Sequence, residues 1–468
     1  MENSRKSNSN DLLGRVAGVL TPVLPTGGSI LMGLSGGVDS VVLLHLLQKL
    51  SLHSPWRLSA LHVHHGISPQ ADAWAAFCAD LCRQKGVPLH IEHVDIAPLR
   101  DLGIEAAARK LRHEVLARQP VDVVALAHHL DDQAETLLLQ LLRGAGVRGA
   151  SAMPTAKHRA HFPLLVRPLL DVPRSILIEY AQQHALQWVE DESNADDAYP
   201  RNFLRHRILP LLEQRFPAYR ETLARSARHF AEASEMLDEL AQQDANIFPS
   251  PLGGGAGGEG EGEPSLEVTH LQSLSQPRAK NLLRYFLHSL GAPMPQAAQL
   301  GDMLQQLCGA RQDAGVCITY GDWQVRRYRG KVYALRALGG FDQSLVLPWH
   351  GEAELEWPAL NARLRFNQFQ GSGISLAKLQ RASVTLRLRS GGETLRPQPN
   401  AATRTLKNLL QEHDVPPWQR DRLPLLYCGD ELVCVFGVAQ NPPIPWRILP
   451  DGCKIQIARW YRISHRHG

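Results

Sequence analysis

The sequence predicts an α/β protein: a parallel sheet wrapped by helices, then a helical region, then a small mixed α+β segment. Three observations carry this. Strand-like and helix-like apolar patterns alternate through the first half, which marks successive βα units. A Gly/Glu/Pro tract, Pro249–Pro264 (PSPLGGGAGGEGEGEP), interrupts the chain near its midpoint with too little apolar content to order itself, so it reads as a flexible linker. Beyond it, short strand signals mix with helices and the charge turns basic.

The elements run in order. Ser29–Leu34 (SILMGL), a short apolar run ending in small residues, is the first strand, and Val38–Leu50 (VDSVVLLHLLQKL) is a largely apolar helix. Leu58–Val63, Leu89–Val94 and Val121–Ala127 are the next strands; Ala71–Gln84, Ile104–Arg118 and Asp131–Leu142 are the helices between and after them. In such sheets ligands bind beyond the carboxyl ends of the strands. Arg174–His184, Phe203–Gln214 and Tyr219–Gln243 carry helical apolar spacing. A helical block follows over Leu266–Leu307, then strand-like runs at Val316–Tyr320, Gln324–Arg329 and Lys331–Leu335. Val384–Ile463 mixes strands with one helix, Thr405–His413. The expected domains are 1–217, a mainly helical 218–350, and a basic 351–468.

Composition sets bounds on the function. At 468 residues, two or three domains are expected. Hydrophobic residues at 44% and charged residues at 21% fit a soluble globular chain. No apolar run reaches membrane-spanning length, and the polar start lacks an apolar signal core. The seven cysteines form no Cys-x-x-Cys pair, which argues against a disulfide framework and for a reducing cytoplasm. Net charge is +4, but Arg381 to the end holds 13 Lys+Arg against 7 Asp+Glu, a local +6 that leaves −2 elsewhere. A basic tail on a near-neutral body fits an anionic partner; a solvated basic face accounts for it equally.

The first strand passes into the first helix through Ser35-Gly36-Gly37-Val38-Asp39-Ser40. Two glycines let the backbone approach an anion, and first-turn amides point at bound phosphate with the helix dipole behind them. Ser35 and Ser40 add hydroxyl donors. Asp39 suits this place if Mg²⁺ lies between it and phosphate. The Walker pattern with its lysine is absent. The second strand runs into His62-Val63-His64-His65-Gly66-Ile67-Ser68, and the fourth into His128-His129-Leu130-Asp131-Asp132-Gln133-Ala134-Glu135. A metal cluster, an ATP and substrate pocket, and plain structural histidines with capping carboxylates all fit these loops. Asp132 and Glu135 are spaced i, i+3 and share a helix face; they can clamp a cation, or be a solvated acidic first turn. Arg109 and Arg112, also i, i+3, can neutralise phosphate charge in a transition state, or form a basic helix face.

Taken together, Ser35–Ser40, His62–Ser68, Glu105–Arg112, Leu126–Thr136, Arg143–Met153 and Asp191–Pro210 occur in one order with sensible gaps. The set resembles the tRNA(Ile)-lysidine synthetase family within the N-type ATP pyrophosphatase superfamily. The resemblance is strongest over residues 28–215 and returns at Leu386–Gly392 and Arg404–Gly437. It implies ATP-dependent ligation of L-lysine to the wobble cytidine of a tRNA(Ile) with a CAU anticodon, through an adenylated cytidine. It implies ATP bound by Ser35, Gly36, Gly37, Val38, Asp39, Ser40 and His64, with Mg²⁺ on Asp39. Asp39, Arg109, Arg112, Asp132 and Glu135 would be catalytic. Asp132, Glu135 and Arg201 would hold lysine, and a nearby carboxylate or His129 would accept its proton. Arg201, Asn202, Arg205, Arg387, Arg389, Arg404 and Lys407 would hold tRNA, with Arg396 a further phosphate contact. Ser193 and Asn194 also match the pattern. Trp418 reads either as a base-stacking platform or as a core anchor. Ala150 stands where the family usually has Leu. The linker is longer and richer in glycine than the pattern leads one to expect. A homodimer is one arrangement the sequence allows. The alternative is a tRNA thiolase of the same superfamily; Cys78 and Cys82, i, i+4 on a helix, fit a half-buried face better than a sulfur carrier. The ligase reading requires the Ser35–Ser40 loop and the Asp132/Glu135 pair to share one site.

Overall fold

The computed structural model describes residues 11–158, 162–246, 264–311, 314–337, 339–340, 342–360, 362–370, 374–375, 379–395, 403–435 and 453–462. Arg396, most of the Pro249–Pro264 tract, and the side chains of Glu105, Ser193 and Asn194 lie outside this description. The chain divides into two compact units, Met1–Leu240 and Ala241–Gly468. The boundary between these units falls inside a long helix.

In the first unit, α1 (Leu12–Leu20) precedes β1 (Ser29–Gly33), α2 (Val38–Ser51), β2 (Arg57–His64), α3 (Ala71–Lys85) and β3 (Leu89–His93). Then come α4 (Ile104–Ala117), β4 (Val123–Ala125), α5 (Leu130–Leu142), α6 (Val147–Ala150), β5 (Ala156–Lys157), β6 (Leu164–Val166) and α7 (Arg174–Gln183). The sheet order is β3-β2-β1-β4-β6-β5. All neighbours pair in parallel except β5, which is antiparallel to β6 at the edge. The order reverses between β1 and β4, so the loops after these two strands lie side by side at a switch point.

Period-two alternation in β1 explains how both faces are covered. Ile30 and Met32 enter one core with Val42, Leu43 and Leu46 of α2 and Leu12, Val16 and Leu20 of α1. Leu31 points the other way, into a second core with Leu61, Val115, Leu116, Val124 and Leu126. Each such side chain, fully removed from water, stabilises the fold by about 1.5–3 kcal/mol. Ala150 is buried against Leu137 and Ala227, so the smaller side chain there is accommodated by packing.

The expected helix Phe203–Gln214 is three pieces: α8 (Pro200–Phe203), a π-helical turn (Leu204–Ile208) and α9 (Leu209–Arg215). The Leu209 N–H bonds to the Leu204 carbonyl five residues back, which defines the π turn. α10 (Tyr219–Asn246) follows.

The middle of the chain is helical, as expected, and also carries a small sheet. In the second unit three helices (Val268–Ser273, Gln276–Ser289, Ala297–Gly309) pack with a four-stranded sheet of 265–267, 317–320, 323–328 and 331–336 around Phe286, Leu282 and Val325. Among the described residues two further four-stranded sheets and a two-stranded one follow, with the helix Leu406–Glu412 in place of Thr405–His413. Trp418 is half-buried, edge-on to Tyr333 at 5.3 Å and Tyr328 at 6.0 Å between ring centres, with the Arg326 guanidinium 5.3 Å from its ring. Arg420 adds a 3.0 Å bond to the Tyr328 hydroxyl. These contacts favour the anchor reading of Trp418, the second of its two.

Candidate active site

The loop after β1 holds its shape through its own serines. The Gly36 N–H donates to Ser40 Oγ at 3.1 Å and the Gly37 N–H to Ser35 Oγ at 3.4 Å. The Ser40 hydroxyl donates to the Gly37 carbonyl at 2.8 Å. Gly36 has φ +89°, and a Cβ there would lie 2.8 Å from Val189 Cγ2; both facts demand glycine. The result is a set of amides at the start of α2 whose partners are hydroxyls that phosphate oxygens can replace.

Asp39 sits in the first turn of α2. Its Oδ2 lies 3.5 Å from His129 Nε2, and its Oδ1 lies 3.7 Å from Arg174 Nε. His129 is 2% exposed and is the N-cap of α5. Its Nδ1 accepts from the Asp132 N–H, while the Asp132 carboxylate accepts from the His129 N–H at 3.1 Å. His129 Nε2 is also 3.4 Å from Asp132 Oδ2. One imidazole thus bridges the phosphate loop and the α5 acidic turn. Burial alone would lower its pKa; the carboxylates of Asp132, Asp39 and Asp131 outweigh that and raise it above 6.5. Asp132 is also penalised by burial, but His129 and Arg201 hold its carboxyl down at about 2. Neighbouring His128 behaves oppositely: burial, with Arg167 and Arg109 nearby, pushes it down to about 3 despite Asp132.

Arginines close the site. Arg201 donates to Glu135 Oε2 at 2.6 Å and to Asp132 Oδ1 at 3.1 Å. Arg205, on the π turn, donates to Glu135 Oε1 at 2.7 Å and Oε2 at 2.9 Å. Arg220 of α10 donates to Asp131 at 2.5 Å, and Asp131 also caps α7 through the Arg174 N–H at 2.9 Å.

The expected residues fall into distinct groups. Ser35–Ser40, Asp132, Arg201 and Arg205 converge. The Glu135 side chain is fully buried and both its oxygens accept from the two guanidiniums, so it anchors these arginines. His64 Nε2 bonds Asp72 at 3.0 Å and its ring packs on His93. His65, its neighbour, faces an 880 Å³ cavity instead. Arg112 lies near His62 and His65, and Arg109 near His128. Asn202 is buried and bonds the Asp196 carbonyl, which braces the chain ahead of the π turn.

In the second unit, Arg387 lies over Tyr427 and bonds the Gly429 carbonyl. Arg389 pairs with Glu393 and Asp421, and Arg404 with Glu412 at 2.6 Å. Lys407 is exposed on the helix Leu406–Glu412.

Arg174 and Arg220 were not anticipated. A signal existed: each is a cation in the first turn of its helix, where the dipole disfavours it, so a nearby anion was implied.

The donor set around Asp39 fits a hard cation. Its Oδ1 is buried without a hydrogen bond, and no group of three or more metal-ligating side chains occurs among the described residues. That argues against the histidine–aspartate cluster and fits an ion, such as Mg²⁺, that takes one protein carboxylate and fills its shell with phosphate and water. Cys78 and Cys82 are buried, and burial pushes their thiols up to about 12 and about 11, which makes them poor nucleophiles.

Comparison with known proteins agrees with this geometry. Residues 11–212 match a family model described as a PP-loop domain, so the first unit carries an ATP-binding domain of that class. Residues 266–333 match a TilS substrate binding domain and 384–441 a TilS substrate C-terminal domain. The chain belongs to the tRNA(Ile)-lysidine synthase family. It is 43% identical to the tRNA(Ile)-lysidine synthase of Nitrosomonas europaea over 88% of each chain. It is 38% identical to that of Coxiella burnetii, over 88% of this chain and 90% of the other. For Azoarcus sp. the figures are 40%, 92% and 91%. A U34-tRNA thiolase from Methanococcus maripaludis has a TM-score of 0.43 and 20% identity, over 48% of this chain and 79% of that one. No helix among the described residues is long and apolar enough to cross a membrane.

Proposed function

We propose that this chain joins L-lysine to the wobble cytidine of tRNA(Ile) with a CAU anticodon, consuming ATP. The observation that carries the reading is the His129 bridge, 3.5 Å from Asp39 and 3.4 Å from Asp132. It supports reading the phosphate loop and the α5 turn as one site, as a two-step reaction on one base requires.

In the first step the cytidine carbonyl oxygen attacks the α-phosphorus of ATP. The new O–P bond forms as the bond to pyrophosphate breaks. The amides and hydroxyls of Ser35–Ser40 hold the pyrophosphate portion, and Arg109 and Arg112 offset charge on the α-phosphate. Asp39 would hold Mg²⁺, which when bound neutralises phosphate charge. In the second step the lysine side-chain nitrogen attacks the activated ring carbon and AMP leaves with the carbonyl oxygen. Asp132, anionic and near the loop, draws in the amine. Glu135 acts through Arg201 and Arg205, which are placed for the lysine carboxylate. The proton lost by the amine passes to the Asp132–His129 pair. The high, burial-raised thiol pKa values leave no activated sulfur carrier on α3, which disfavours thiolation.

The test is nucleoside mass spectrometry after incubating purified protein with ATP, Mg²⁺, lysine and a CAU-anticodon transcript. A lysine-sized mass gain on cytidine is expected. ATP–pyrophosphate exchange should need the tRNA but not lysine, and Asp39→Asn should lower it at least about 100-fold, on the scale of losing a transition-state electrostatic contact. Exchange supported by an amino acid alone, or no modified cytidine, overturns the reading.

A further inference from the structure

We propose that a groove between α4 and α5 receives the cytidine that is modified; this rests on the ligase reading above. The groove encloses about 230 Å³, below the roughly 300 Å³ at which drug-sized pockets begin, so it is the scale of one nucleotide and not of a strand.

Its lining is divided by chemistry. Arg109, Lys157 and Arg167 line it, and no Asp or Glu does among the described residues. Arg167 is 5% exposed and its Nη1 is fixed on the Pro154 carbonyl at 2.7 Å, so this cation is part of the built wall. Phe162, which is exposed, and half-buried Leu165 give an apolar surface for a ring. Thr136 and Gln140 supply hydrogen-bonding groups. Cations for a phosphate, an apolar slot for a ring and amide groups for a base edge are the recognition set for a splayed-out nucleotide of single-stranded RNA.

Helix geometry ties the groove to the site. Asp132, Thr136 and Gln140 are spaced i, i+4, i+8 on α5 and share one face. At 1.5 Å rise per residue, Thr136 is only about 6 Å along the axis from Asp132. A base seated at Thr136 therefore has its reacting edge near the residue that draws in lysine. A second cavity is lined by His65, His93 and Asp95, with no arginine or lysine among its described lining residues.

Two measurements test this on the full-length protein. First, a CAU transcript carrying 5-iodocytidine at the wobble position is photo-crosslinked and the attachment mapped. Attachment within 109–117 or 136–167 is expected; attachment within 65–67 or 93–96 overturns the assignment. Second, Lys157→Ala and Gln140→Leu should each raise KM for tRNA about tenfold while leaving KM for ATP and lysine unchanged. A purely structural role would move all three together. Wild-type KM for tRNA in both variants overturns the groove alone, provided the wild-type protein makes lysidine. If it makes none, the ligase reading falls and the groove assignment with it.

Discussion

Replacing Glu135 with glutamine changes one buried charge at constant volume. Glu135 Oε2 accepts from Arg201 Nε and Arg205 Nη2, and Oε1 accepts from Arg205 Nε, at 2.6, 2.9 and 2.7 Å. Glutamine keeps one carbonyl but turns an amide N–H toward a guanidinium N–H. One charge-assisted hydrogen bond is lost, about 1.5–3 kcal/mol, and the two that stay lose their ionic acceptor. The guanidiniums also lose the charge that offsets their mutual repulsion. Two effects soften this: the arginine side chains are 21% and 31% exposed, and Arg201 keeps Asp132. The net is about 3 kcal/mol, the lower end of the cost of breaking a buried pair. At 2–4 °C per kcal/mol for a unit of this size, the first unit should melt about 6–12 °C lower. Differential scanning calorimetry reads the shift, and steady-state assays with lysine varied should show KM for lysine rising. A melting shift under about 2 °C with unchanged KM for lysine would refute the view that Glu135 anchors Arg201 and Arg205.

Four more outcomes follow from the geometry. Gly36→Ala forces a Cβ against Val189 at positive φ; a cost of about 1–3 kcal/mol and loss of the thermal shift given by ATP are expected, and a full ATP shift would contradict it. Trp418→Ala should destabilise the second unit by about 2–3 kcal/mol, below the range for a fully buried Trp, in urea titrations; weakened tRNA binding at full stability would restore the base-stacking role. Lys407→Gln should flatten the log–log salt dependence of tRNA binding by about 0.7–0.9, and Arg404→Gln by less because Glu412 already pairs with it; two unchanged slopes would remove this helix from RNA contact. Asp132 has a depressed folded-state pKa, so its contribution to stability is complete above about 3.8 and fades as pH falls through about 2; Asp132→Asn should flatten that acid limb in pH-dependent melting, and an unaltered limb would assign it elsewhere.

The alternation of β1 through α5 was legible because each element carries its own period. Ser29–Leu34, Ala71–Gln84 and Ile104–Arg118 are one residue from the observed bounds. Strands β5 and β6, of two and three residues, are too short to show a period. The break at Leu204–Ile208 was hidden because apolar spacing continues across it. In the site, residue types could be read but partnerships could not. Asp132 and Glu135 look alike by spacing, yet one faces His129 and the other lies under Arg205, a pairing set by packing across 70 residues of chain. Asp131 reads as a cap in sequence; that it caps α7, 43 residues on, depends on how the helices assemble.

The π turn has a bearing on how this stretch tolerates length change. It spends one more residue per turn than its α-helical flanks, and Arg205 is angled onto Glu135 within that wider loop. Deleting a single residue between Phe203 and Leu209 would let the backbone relax to ordinary winding and swing the guanidinium about 100° around the axis. Insertions and deletions should therefore be far less welcome across these few positions than in the solvent-facing stretch after α9, and a deletion scan scored for soluble, active protein would show that contrast as a sharp local minimum.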